Sequence, residues 1–235
     1  MKKRAVILVT LLGASLGLIT KLPLAWAAPH LMPDGLGTNI SYSGTVWNGR
    51  VSGLDYIDVV QFKFSPKMML KGGLPLSFQT SSQAMQMSGQ ASRNQIVGLN
   101  FSGQLANLPT RDGRLKELNG VVNVQISELK FSKKCKSIAG NANTDFLSRN
   151  KGRWQWKGPI LSGPLSCENG DLIAKLSGTE NGQTIKADLR IVPNGTYRAD
   201  FSVQTSQPEA AIVLPLYGFE KRSGEFLLTE QGKWR

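Results

Sequence analysis

Apolar and polar residues alternate with period two through most of the chain beyond residue 38, which is the signature of half-buried strands. The runs TNISYSGTVW (38–47) and RVSGLDY (50–56) flank Asn48-Gly49, a dipeptide suited to a two-residue hairpin turn. In VVQFKF (59–64), Val60, Phe62 and Phe64 fall on one face. LPLSFQT (74–80), QAMQMSGQ (83–90) and QIVGLNFSGQL (95–105) continue the pattern. Period two is clearest in GVVNVQISELKF (120–131), where Val122, Val124, Ile126 and Leu129 break step once, so a bulge is expected near Ser127. Further strands are expected at 152–157, 160–166, 171–178, 182–192, 196–205, 210–216 and 224–230. Helical periodicity is limited after residue 32 to short turns at 65–70 and 141–149.

Ser-Gly recurs at 43–44, 52–53, 88–89, 102–103, 162–163, 177–178 and 223–224, several times inside a strand-like run. Glycine within a strand marks a bulge, a bend or a close backbone approach. A series of such positions lets a sheet curl. No fixed period supports a propeller or solenoid. The expected fold is all-β: one strongly curved antiparallel meander with a concave apolar face, following an N-terminal membrane segment.

The N-terminus places that domain. MKKR precedes sixteen uncharged residues, Ala5 to Thr20, and Lys21 precedes a second apolar stretch, LPLAWAA. Two readings fit. One is an export signal cut after Ala25-Trp26-Ala27, an A-x-A pattern. The other is an uncleaved anchor over residues 5–26, about the roughly 20 residues that a span requires, with Lys21 reaching the far interface and Trp26 in the aromatic belt. Both keep residues 1–4 cytoplasmic and export the β domain, residues 33–235.

Charge sharpens this picture only slightly. The 235 residues carry a formal charge of +12, and four of the cations lie in the acid-free first 28 residues. A basic domain favours anionic partners. Export rules out nucleic acid as the partner. Both cysteines, Cys135 and Cys167, lie in the exported part, where an oxidising compartment favours their pairing over two separate buried thiols. A metal site is disfavoured, because nothing beside either cysteine completes a ligand set and His30 is the sole histidine. The same shortage argues against a nucleophile–histidine hydrolase. The carboxylates Asp55, Asp58, Glu117, Glu128, Asp145, Asp171 and Asp188 form no recognisable acid pair. GLGTNI lacks the third glycine of a phosphate loop. No catalytic residue and no cofactor are expected.

Two aromatic features remain. A turn at Asn48-Gly49 would set Trp47 opposite Arg50, with the guanidinium over the indole. In GRWQWKGP (152–159), Trp154 and Trp156 would share one strand face. These four residues form either a partner-docking patch or core filling at the sheet ends.

GTVWNGR (44–50) just past an N-terminal membrane segment, WQWKGPILSGPLSC (154–167) and the closing GEFLLTEQGKW resemble the type II secretion system protein N family (general secretion pathway protein N), over essentially the whole chain. The resemblance implies a single-pass inner-membrane protein whose main domain is a periplasmic β structure. It implies a non-enzymatic role in export of folded proteins across the outer membrane, with other secretion subunits as partners. It favours the anchor over cleavage, and a structural Cys135–Cys167 disulfide. A curved sheet behind one anchor is also similar to the AsmA-type half-pipe proteins, an analogy of fold alone. That analogy implies the alternative function, a phospholipid-binding or lipid-transfer module with an apolar groove.

Overall fold

The structure, a computed structural model, describes residues 21–31, 40–54, 57–82, 84–107 and 116–233. The chain is all-β and divides into two compact units at residues 82 and 83. Helices among the described residues are short, and none is long and apolar enough to cross a membrane. The expected span 5–26 lies outside the described residues as far as residue 20.

The first unit holds helix α1 (Leu24–Leu31), strands β1 (Ser41–Thr45), β2 (Asn48–Leu54) and β3 (Ile57–Phe64), helix α2 (Pro66–Leu70) and strand β4 (Leu76–Ser81). Each strand pairs antiparallel with its neighbour in the chain. Val60 and Phe62 pair with Thr80 and Phe78, so the alternation of 59–64 lays the aromatic residues on one face as expected. The 65–70 helix is also present. At the N-terminal side, the Leu22 carbonyl accepts the Val46 N–H at 3.1 Å and Pro23 bridges Thr45. Leu24, Ala27 and Ala28 are buried at 3%, 6% and 0% exposure. Leu24, assigned from sequence to the end of the membrane span, is thus built into the unit's packing together with Ala27 and Ala28 just beyond it.

The second unit contains β5 (Met85–Ala91), β6 (Gln95–Gln104), β7 (Val121–Phe131), β8 (Cys135–Thr144), helices α3 (Phe146–Arg149) and α4 (Lys151–Trp154), β9 (Leu161–Glu168), β10 (Asp171–Glu180), β11 (Gln183–Ile191), β12 (Thr196–Gln204), α5 (Pro208–Leu216), β13 (Glu220–Arg222) and β14 (Glu225–Lys233). Pairing follows chain order from β5 to β12; β14 then pairs with β12 and carries β13 on its outer side. No pairing joins β5 to β13, so these strands do not close into a barrel. The bulge near Ser127 is present as a register shift between Ile126 and Glu128.

Three assignments differ from the sequence reading. Of residues 141–149, read as a helical turn, 141–144 end strand β8 and only 146–149 are helical. Residues 152–157, read as a strand, begin in α4 and leave it through Gln155 in the left-handed conformation (φ 53°). Residues 210–216, also read as a strand, belong to α5, which opens on Pro208, the residue type pre-shaped for a first helical turn. Its run AIVLPL has the β-branched content of a buried strand, and period cannot separate the two states over so short a run.

The recurrent Ser-Gly positions do separate tasks. At Gly163 an added Cβ would lie 1.8 Å from the Lys175 carbonyl oxygen, and at Gly178 one would lie 2.2 Å from that of Ile160. Only glycine lets β9 and β10 approach so closely. The Ser88-Gly89 copy coincides with a register shift between β5 and β6.

The pairing registers put Leu99, Val124, Ile126, Ala142, Leu165, Ala174 and Leu189 on one face of the second unit. Its opposite face carries Gln125, Asn143, Lys175, Arg190 and Asp200. One part of the apolar face is covered: Leu161, Ile185, Val203 and Phe226 pack with Leu118, Leu147 and Trp156 from the connections, and with Ala210 and Leu214 of α5. A second cluster, Ile126, Ala142, Leu165 and Ala174, draws its packing from strand residues alone.

Polar side chains fix the connection that carries α3. Asp145 Oδ1 accepts the Val121 N–H at 2.8 Å, and Asn150, 2% exposed, accepts the Asn119 N–H and donates to the Asn119 carbonyl. Burial alone would raise the Asp145 carboxyl, but Arg149 and the Val121 N–H together hold it below its ordinary value of 3.8. A carboxyl lowered by folding contributes stability above its unfolded value and loses it as pH falls through the folded one. We therefore expect stability to decline below about pH 4, and Asp145→Asn to flatten part of that decline in urea melts between about pH 4 and 2. Glu168, held low by Lys175, and Asp200, held low by Arg198, add to the same acid-side loss of stability. An unchanged slope in the variant would show that the Asp145 contacts do not persist in solution.

Candidate functional site

The first hairpin does not turn where its sequence suggests. Thr45 pairs with Asn48 and Gly44 with Gly49, so Val46 and Trp47 make the turn while Asn48 and Gly49 begin β2. The reason lies in packing. A Cβ at Gly49 would stand 2.5 Å from Phe62 Cζ and 2.7 Å from Leu24 Cδ2, so this glycine admits α1 and β3 side chains rather than serving the turn. Thr45 Oγ1 accepts the Asn48 N–H at 3.2 Å across the new turn.

The expected Trp47–Arg50 pair is therefore corrected. Arg50 lies exposed on β2, opposite Ser43 on one side and Gln61 on the other. Trp47 is half-buried, its ring 5.9 Å from that of Phe64 at 36°, and its carbonyl accepts the Phe64 N–H at 2.7 Å. It closes the end of β3.

Trp154 and Trp156 do not share a strand face either, because Trp154 ends α4 and Trp156 follows the left-handed Gln155. Trp156 is a core residue, 3% exposed. Its indole Nε1–H donates to Gln183 Oε1 at 2.8 Å, and the Gln183 amide donates to the Lys157 carbonyl at 2.5 Å. Gln183 is fully buried. Nothing in the sequence singled it out, since a glutamine after Asn181-Gly182 looks like an exposed turn residue. Trp47 and Arg50 thus belong to the first unit, and Trp154 and Trp156 to the second.

Cys135 and Cys167 form the disulfide, with Cα atoms 5.6 Å apart. They sit at the ends of β8 and β9, where the Cys135 N–H also donates to the Gly170 carbonyl at 2.9 Å. Among the described residues no three His, Cys, Asp or Glu side chains converge as a metal ion would require. The second unit presents an apolar sheet face and an opposite polar face laced by ion pairs such as Lys175–Glu168 and Arg190–Asp171.

The family model described as "Type II secretion system (T2SS), protein N" matches residues 41–229. A search of curated proteins gave no match, and a search of solved structures gave none.

Proposed function

Because the chain belongs to the type II secretion system protein N family, we propose that it is a non-enzymatic accessory component of the secretion apparatus, held in the inner membrane by its N-terminus. Its β units work in the periplasm, through contacts with other subunits of the machine. The observation that carries this reading is the extent of the family match, which runs from β1 into β14. A Cys135–Cys167 disulfide supports placement in an oxidising compartment.

The packing of α1 supports an anchor that is kept. Cleavage after Ala27 would cut between two buried alanines and release the chain that bonds Val46 and packs on Gly49. Deleting the gene tests the role, with secreted proteins and envelope lipid composition measured side by side. The expected result is retention of exoproteins inside the cell with unchanged lipids; normal secretion would refute the proposal. In the same strain background, fractionation and N-terminal sequencing are expected to find an uncut chain in the inner membrane. A mature N-terminus at Ala28 would refute the anchor.

A further inference from the structure

The part of the second unit's apolar face that is packed by strand residues alone ends at a row of hairpin tips. Residues 92–94 join β5 to β6, 132–134 join β7 to β8, and 169–170 join β9 to β10. These tips lie side by side: the Phe131 N–H donates to the Asn94 carbonyl at 2.9 Å, and the Cys135 N–H to that of Gly170. The Lys134 side chain lies along Gly170. The covered part of the face belongs to the opposite end of the strands, where the connections carrying α3 to α5 are found.

The charges along this row do not balance. Its carboxylates are already engaged: Glu128 with Lys130 at 3.0 Å, Glu168 with Lys175 at 2.7 Å, and Asp171 with Arg190 at 3.0 Å. Arg93, Lys133, Lys134 and Lys136 are exposed, and among the described residues none of them has a carboxylate at ion-pair distance. Leu99, Leu129 and Ile138, on the apolar face beside them, are only partly buried. Cationic tips bordering incompletely covered apolar surface complement one kind of molecule, with an anionic head and a hydrocarbon tail.

We propose that this rim and the adjoining face bind an anionic phospholipid, its phosphate met by Arg93, Lys133, Lys134 and Lys136 and its acyl chain laid along Leu99, Leu129 and Ile138. An acidic protein surface would satisfy the cations and leave the leucines wet. A zwitterionic lipid would fit the face but bring its own cation to the rim. The inference goes beyond the secretion role and does not rest on it.

The test uses the full-length chain in detergent, mixed with phosphatidylglycerol or phosphatidylcholine and examined by native mass spectrometry. The wild-type chain is expected to retain phosphatidylglycerol at least about tenfold better than phosphatidylcholine, and the variant R93Q/K133Q/K134Q/K136Q to lose that preference. Leu129→Gln is expected to weaken retention of both lipids. All four rim positions are exposed, so an unchanged thermal melt is expected to accompany the loss of binding. Equal retention of the two lipids, or of phosphatidylglycerol by wild type and rim variant, would overturn the proposal. So would full competition by millimolar inorganic phosphate, which would make the rim a simple anion site. Lipid held by the N-terminal segment cancels in the comparison with the rim variant. A secretion defect in the gene deletion, or its absence, leaves this result unaffected.

Discussion

Trp156→Ala is expected to destabilise the protein by at least about 4 kcal/mol, the largest effect of any single side chain considered. Removing a buried indole costs roughly 3–5 kcal/mol through lost burial and the cavity left behind. Here a second loss is added, because the Gln183 side chain is fully buried and its oxygen receives the indole N–H. An orphaned buried acceptor costs about 1–3 kcal/mol. Domains of this size hold only about 5–15 kcal/mol in total, so the variant is expected to sit near its unfolding threshold. Trp156→Phe separates the two losses: it keeps most of the ring volume and forfeits the hydrogen bond, at roughly 1–3 kcal/mol. Urea melts followed by circular dichroism measure both variants. Trp156→Ala melting within about 1 kcal/mol of wild type would mean that the indole does not anchor this core.

Cys135→Ser combined with Cys167→Ser is expected to cost about 3–4 kcal/mol, through the loop that the bond closes between residues 32 apart. On the chain-entropy account most of this acts on the unfolded ensemble, which regains the freedom of 136–166. The thermal midpoint should fall by roughly 6–15 °C, and reduction of the wild type should reproduce the shift. The two single-serine variants should match the double variant, since one thiol without its partner closes nothing. A double variant melting with the wild type would show that backbone pairing already restrains these two strands in the unfolded chain. Free thiols at both positions in protein from oxidising growth would show that the bond does not form.

Much of the fold was legible because alternation survives wherever the facing residues are large. Val122, Val124, Ile126 and Leu129 announce β7 and even its bulge. Strand β8 escaped notice because its inward positions are Ile138, Gly140 and Ala142, opposite Asn141 and Asn143. Small residues give too little hydrophobic contrast to register as a face. Helix α5 was mistaken for a strand through Ile212 and Val213, β-branched residues whose preference tertiary packing overrides. The turn at Val46 and Trp47 was masked by a stronger local signal, Asn48-Gly49, whose glycine is required by Leu24 and Phe62 instead. The candidate site was the least legible part. Trp47, Arg50 and Trp156 drew notice as residue types, whereas the unbalanced rim is assembled from two separate tips and the start of β8. Only the pairing register brings Arg93 next to Lys133 and Lys134.

The succession of β5 to β12, in which every strand pairs with its neighbours in the chain, has a consequence for biogenesis. Each new strand can zip onto the one before it after closing only a short loop, so low contact order favours quick folding. A chain synthesised from its N-terminus can therefore pair β5 to β12 in the order in which they are made. Cys135 and Cys167 lie on adjoining strands, so their bond can form before β10 to β14 have paired. The last piece to arrive is the exception: β14 must pass over β13 to reach β12, which makes docking of the C-terminal hairpin the concluding step of maturation.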